Sequence, residues 1–157
     1  MNLSDKIFSV LKEAYPTLKT LEDEWFIIGT SGLVLAGVKL EKTSDIDILT
    51  SVRDAQKLKV AWKDRKIKDF DSSNTELFQS DFSRYNFNIL DIEIMGELKV
   101  NQSNNWTTLK VTDHINISTP HFEVKIPTLE EQKRIFLLFG REKDLQKAKM
   151  IIKMNNE

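Results

Sequence analysis

The sequence predicts an α/β protein in the broad α+β sense: a mixed, mostly antiparallel twisted sheet flanked by helices, with a helical pair at the C-terminus. Three observations lead there. Two segments, around residues 45–49 and 87–96, place acidic and aliphatic residues in strict alternation, the period of a strand with two unlike faces. Segments of helical spacing lie before and between them. After Pro127 the pattern turns wholly helical.

Each element has a local reason. The first helix is expected to start at Ser4, whose hydroxyl can take a free backbone amide. Ile7, Val10, Leu11 and Ala14 supply its buried stripe. Pro16 sets its end near Tyr15, because the residue before a proline is driven out of helical geometry. Trp25-Phe26-Ile27-Ile28 is a buried strand ending at Gly29. Small and apolar residues over 30–38 form a short helix entered directly from it. Asp45-Ile46-Asp47-Ile48-Leu49 is the next strand, and Ser51 caps a helix with Ala55, Leu58 and Trp62 on one face. Residues 66–81 are polar and carry no clear period. Strands follow over 87–95, near 108–117 and near 121–126. Thr128 and Glu131 form a capping box, the hydroxyl serving the amide three residues on and the carboxylate reaching back. Ile135, Leu138 and Phe139 give that helix its apolar face, Gly140 ends it, and a second helix covers 142–154. Nothing linker-like divides the chain. One domain over 1–157 is expected, with a core at about 25–126 and C-terminal helices at about 128–154.

Composition narrows the chemistry. With 23 basic and 24 acidic residues the formal charge is −1, which provides no bulk field for nucleic acid or anionic membrane. The chain has no cysteine, so disulfides, thiolate metal sites and cysteine nucleophiles are excluded. No apolar run reaches the ~18 residues of a membrane span, and the first residues lack the pattern of a secretion signal. A cytoplasmic protein is expected. Its two histidines, His114 and His121, lie in strand-like segments and receive no role. Acid–base or metal chemistry therefore falls on carboxylates.

Those carboxylates have a pattern. Residues two apart on a strand point to one side, so Asp45 and Asp47 project together while Ile46 and Ile48 point away. Like charges this close repel unless a cation lies between them. A hard divalent ion with oxygen ligands, magnesium above all, suits the pair. Upstream, Gly29-Thr30-Ser31-Gly32 joins a strand to a helix. Free amides at such a junction, with the hydroxyls of Thr30 and Ser31, form an anion site that Gly32 leaves open to a phosphate. Asp91 and Glu93 repeat the acidic face on a later strand and offer a third carboxylate. A phosphate cradle beside paired acids fits two-metal phosphoryl transfer. Trp25, Trp62 and Trp106 are read first as packing residues rather than platforms for a base.

The motif resembles the DNA polymerase β-like nucleotidyltransferase superfamily, in particular its small bacterial members, the minimal and the abortive-infection nucleotidyltransferases. Gly29-Thr30-Ser31-Gly32-Leu33 and Thr43-Ser44-Asp45-Ile46-Asp47 carry the resemblance. Pro127-Thr128-Leu129-Glu130 and Gly140-Arg141-Glu142-Lys143-Asp144 extend it toward the C-terminus. It implies Asp45 and Asp47 as the first two metal ligands, and Glu93 as the third, with Asp91 as the fallback. It implies two magnesium ions and a nucleoside triphosphate, ATP by preference, held by Gly29, Thr30, Ser31 and Lys143. A nucleoside monophosphate would pass to a hydroxyl of a small molecule or a protein; nucleic acid is disfavoured as acceptor. Thr30 stands where the pattern has a second Gly or Ser, and the usual basic residue before the Asp strand is represented by Lys39 or Lys42. These departures define the alternative reading, a weakly active or inactive binding module resembling antitoxin-type relatives.

Overall fold

A computed structural model describes residues 1–68 and 75–156. Among these residues the elements run α1 (Leu3–Leu18), β1 (Phe26–Ile28), α2 (Gly29–Leu35), β2 (Asp45–Thr50), α3 (Val52–Ala61), β3 (Phe78–Asn86) and β4 (Asp91–Gln102). They continue with β5 (Asn105–Thr108), β6 (His114–Ser118), β7 (Glu123–Pro127), α4 (Leu129–Phe139) and α5 (Glu142–Asn155). Strands β1, β2, β4 and β3 lie side by side in that order, and β5 adds to the far part of β4. β2 and β4 run parallel; the other pairs are antiparallel. β6 and β7 form a separate antiparallel ribbon whose second strand packs against β1. The sheet is mixed and mostly antiparallel, as the alternation predicts.

The two faces of the central strands separate packing from chemistry. Ile46, Ile48, Ile92 and Ile94 are fully buried on one face, against Ile7, Leu11 and Leu18 of α1 and Ala55 and Leu58 of α3. Each such side chain contributes roughly 1.5–3 kcal/mol by leaving water. The opposite face carries the acidic residues at the start of β2 and β4. Farther along, Leu49, Leu98 and Val100 pack there with Ile135 and Phe139 of α4. β4 supplies both kinds of surface through a change of phase. Gly96 lies opposite Asp81 and Lys99 opposite Gln79, so three steps along β4 answer two along β3. Glu97, at φ 52°, absorbs the extra residue as a bulge. The face that begins with Asp91 and Glu93 therefore continues with Leu98 and Val100.

Several local expectations need correction. α1 begins one turn-fraction earlier than expected, capped by Asn2, whose Oδ1 accepts from the Asp5 amide at 2.8 Å. Burying Leu3 favours that start. Pro16 lies inside the last turn and the helix reaches Leu18, whose burial holds it there. Residues 87–90 are a turn rather than strand. The Asn86 side chain accepts from the Asn88 amide at 2.7 Å, and Asn88 takes φ 67°. β4 then passes through Gly96 instead of ending there. The expected strand at 108–117 is two short strands, β5 and β6, on either side of an irregular stretch. Only half of the Thr128 capping box forms. The Thr128 hydroxyl accepts from the Glu131 amide at 3.2 Å, but Glu131 turns to the amide and hydroxyl of Thr112 and to Arg134. The Thr128 amide bonds to the Asp113 carbonyl instead. Ser51 caps α3, and Gly140, in left-handed conformation, ends α4, as the pattern predicts.

Candidate active site

Parallel pairing of β2 and β4 assembles the acidic group. Asp45 lies opposite Asp91 and Asp47 opposite Glu93. Carboxylate oxygens of Asp45, Asp47 and Glu93 all lie within 4.8 Å of one another. The backbone beneath Asp45 is tied down by two hydroxyls, Ser31 at 3.2 Å and Thr43 at 3.1 Å, both donating to its carbonyl. Ser44 donates to the Asp45 carboxylate at 3.0 Å.

Gly29 makes close approach of β1 and β2 possible. It adopts φ 70°, and a Cβ there would lie 2.7 Å from Asp47 Oδ2. Any larger residue would both strain the backbone and collide with the Asp47 carboxylate. Gly32 has a different task from the expected one. It is buried, and a Cβ would meet the Ile27 carbonyl at 2.9 Å and Gln132 at 3.3 Å, so it permits α2 to pack inward rather than leaving room for a phosphate. Ser31 is likewise buried, its hydroxyl spent on Asp45.

The carboxylates line one end of a cavity of about 350 Å³. Gly29, Thr30, Lys42, Ser44 and the acidic trio surround that end. Lys143, Lys147 and Arg141 of the C-terminal hairpin line it as well, with Phe78, Phe82 and Phe139 as an apolar wall. Lys143 thus stands on the cavity, whereas Lys39 does not line it. Arg141 is committed locally: its guanidinium makes two hydrogen bonds to Asp144, at 2.6 and 3.1 Å, and lies over the Phe78 ring at 5.0 Å. Trp62 packs in the core against Tyr85 and Phe87. Trp106 on β5 and both histidines stand away from the cavity lining.

Electrostatics mark the trio as strained. Burial, and then the charges of Asp45 and Glu93, push the Asp47 carboxyl well above its ordinary range, against a smaller opposing pull from Lys147. Burial and the Asp45 charge raise Glu93 to about 7, while Arg84 opposes the rise. Burial lowers the Lys147 ammonium. Three acids competing for one space need positive charge to ionise together.

Two residues at this site were missed by sequence reasoning. Arg84 on β3 faces Glu93 across the sheet and reaches over it. Its Nη1 lies 2.5 Å from Glu93 and 3.3 Å from Asp45, and its Nε lies 2.8 Å from Asp91. Its segment has no apolar alternation to reveal a strand. Lys147 does have a signal, one helical turn beyond Lys143 and therefore on the same side of α5. Asp91, the fallback ligand, is engaged by Arg84 and lies outside the group of three.

No family model matches this chain, and no curated protein matches it in sequence. Solved structures do match in fold. A candidate nucleotidyltransferase from Thermotoga maritima superposes with a TM-score of 0.76 at 24% identity, over 99% of this chain and 96% of that one. An antigenic nucleotidyltransferase-like protein from Paracoccidioides brasiliensis gives 0.62 at 15% identity, over 98% of this chain and 78% of its own. The lincosamide antibiotic adenylyltransferase LnuA, solved with lincomycin bound, gives 0.57 at 15% identity, over 96% and 98%. The chain therefore has the nucleotidyltransferase fold. That fold is matched over nearly the whole length of the chain.

Proposed function

We propose that this protein is a metal-dependent nucleotidyltransferase that moves a nucleoside monophosphate from a nucleoside triphosphate, ATP by preference, to a hydroxyl acceptor. One observation carries the reading: three carboxylates from two parallel strands converge within 4.8 Å, in a cavity that a glycine turn and two lysines also line. The donor set is all carboxylate oxygen, which fits hard divalent cations such as magnesium. Asp45, Asp47 and Glu93 would hold them. Bound there, two such ions would supply the positive charge that the triphosphate needs and would acidify the acceptor hydroxyl.

The remaining work falls to the chain. Gly29 and Thr30 border the triphosphate's place with backbone amide and hydroxyl donors. Lys143 and Lys147 supply positive charge from α5, which the departing pyrophosphate needs as its charge grows. Phe78, Phe82 and Phe139 give the cavity an apolar part of its lining. Adenylyl transfer to a small antibiotic is the activity named for LnuA, and a small-molecule hydroxyl suits a cavity of this size. A protein hydroxyl is the other acceptor to test; the near-balanced charge argues against polynucleotide.

The experiment is thermal unfolding with ATP, magnesium, both or neither, followed by release of pyrophosphate with candidate acceptors. ATP with magnesium should raise the melting temperature of the wild type, and Asp45→Asn or Asp47→Asn should cancel the rise. If nucleotide never stabilises the wild type in the presence of metal, the enzyme reading is lost, and a binding module built on this fold takes its place. Binding without turnover on any acceptor would likewise point to the module.

A further inference from the structure

We infer that Arg84 is a built-in counter-ion that holds the acidic trio together without metal and gives up that role when a divalent cation arrives. The inference rests on the metal-site reading above. Arg84 is pinned to the site by geometry. It occupies the position opposite Glu93 on the antiparallel partner strand, on the face that carries the acids. Its Nε contacts Asp91 at 2.8 Å, while Nη1 lies between Glu93 at 2.5 Å and Asp45 at 3.3 Å. Asp91 therefore clamps the guanidinium, and the guanidinium in turn bridges two of the three carboxylates that would bind metal.

The charge count gives the arrangement its logic. Asp45, Asp47, Asp91 and Glu93 present four carboxyl groups on one surface. A single guanidinium, mostly buried with its side chain 13% exposed, cannot leave for solvent at will. It offsets part of the repulsion among the acids. The same charge works against cation binding, since a fixed positive group in contact with two ligands weakens the field that attracts an ion. Arg84 is thus a positioning residue: it sets the resting geometry of Glu93 and Asp45 and raises the concentration of metal needed to fill the site. Asp91, in this account, serves the site as the anchor of Arg84.

The test uses manganese alone, without nucleotide, on the full chain. Manganese affinity is measured by calorimetry at pH 8 for the wild type, Arg84→Met and Arg84→Lys. Unfolding is followed in parallel with chelator present. Arg84→Met should bind manganese at least about tenfold more tightly than the wild type, because a unit charge in contact with the ligands is removed. Arg84→Lys should stay near the wild type. Without metal, Arg84→Met should melt lower, and adding Glu93→Gln to it should restore much of the loss. A merely packing role for Arg84 would leave the second change without effect. Weaker or equal manganese binding by Arg84→Met, or failure of Glu93→Gln to rescue it, overturns the inference while the metal site stands. Manganese binding to Arg84→Met but not to the wild type supports it in its strongest form. If no form binds manganese, both the metal site and the exchange are refuted.

Discussion

Neutralising Glu93 should make the metal-free protein more stable at alkaline pH, and the size of the gain follows from its surroundings. Burial and the neighbouring Asp45 raise its carboxyl from 4.5 to about 7. The folded state therefore prefers the protonated form, and the unfolded chain releases its proton first as pH rises. The contribution is fully present below about 4.5 and is lost as pH climbs to about 7. At 1.36 kcal/mol per pH unit across that window, the loss is about 3 kcal/mol, an upper bound because Glu93 interacts with other charged groups at the site. For a chain of this size that is roughly 6–12 °C in melting temperature. Urea unfolding in chelator at pH 5, 6, 7 and 8 measures it. Wild type should weaken steadily across the series, whereas Glu93→Gln should weaken less, the buried Asp47 keeping a slope of its own, and should exceed the wild type at pH 8. Subtracting the two curves removes the titrating groups distant from Glu93 that the two proteins share. Magnesium should recover the wild type at pH 8 and leave the variant little changed. A wild type whose stability is flat or rises from pH 5 to 8, or a variant that keeps the wild-type slope, would refute the argument.

Other expectations are simpler. Gly29→Ala should lose metal-dependent stabilisation and lower the fold's stability by about 1–3 kcal/mol, since it strains a positive φ and brings a methyl within 2.7 Å of Asp47; metal titration with chemical unfolding checks it. Lys147→Ala should weaken nucleotide binding about tenfold with far less effect on metal alone, read by calorimetry with and without ATP. Glu131 is held near 2 by Arg134 and by the Thr112 amide and hydroxyl. Its stabilising effect is complete above about 4.5 and fades as pH falls toward 2, so Glu131→Gln should flatten the acid limb of the stability curve while leaving the pH 5–8 limb intact.

How much of this could be read from the sequence depends on the range of the interaction involved. The acidic faces of β2 and β4 were legible because period two is a property of one strand alone. So were the Ser51 cap and the Gly140 stop, which involve neighbouring residues. The Thr128 box failed because a competing partner, Thr112, comes from a distant segment. Arg84 was invisible for the same reason. Its place is defined by pairing with Glu93, and β3, where Phe82 alone interrupts Gln79, Ser80, Asp81, Ser83 and Arg84, shows no alternation before that pairing is known. Gly32 was recognised as a special position but given the wrong neighbour, since what it accommodates is Gln132, a hundred residues away.

The bulge in β4 joins these threads. A strand with unbroken alternation would have put residues 97 and 99 on the face of Asp91 and Glu93, and Leu98 with Val100 behind it. Lys99 and Glu97 would then have faced the cavity, a cation and a further acid beside three carboxylates. With one residue absorbed at Glu97, the same face turns from acidic to apolar within two steps. Leu98 then joins the apolar cluster that includes Ile135 and Phe139 of α4. That cluster is one of the contacts by which the C-terminal hairpin seats on the sheet, and the hairpin carries Lys143 and Lys147 to the cavity. The acidic end and the seating of its lysines thus depend on one irregularity, and deleting the extra residue of the bulge would turn Leu98 and Val100 to the opposite face.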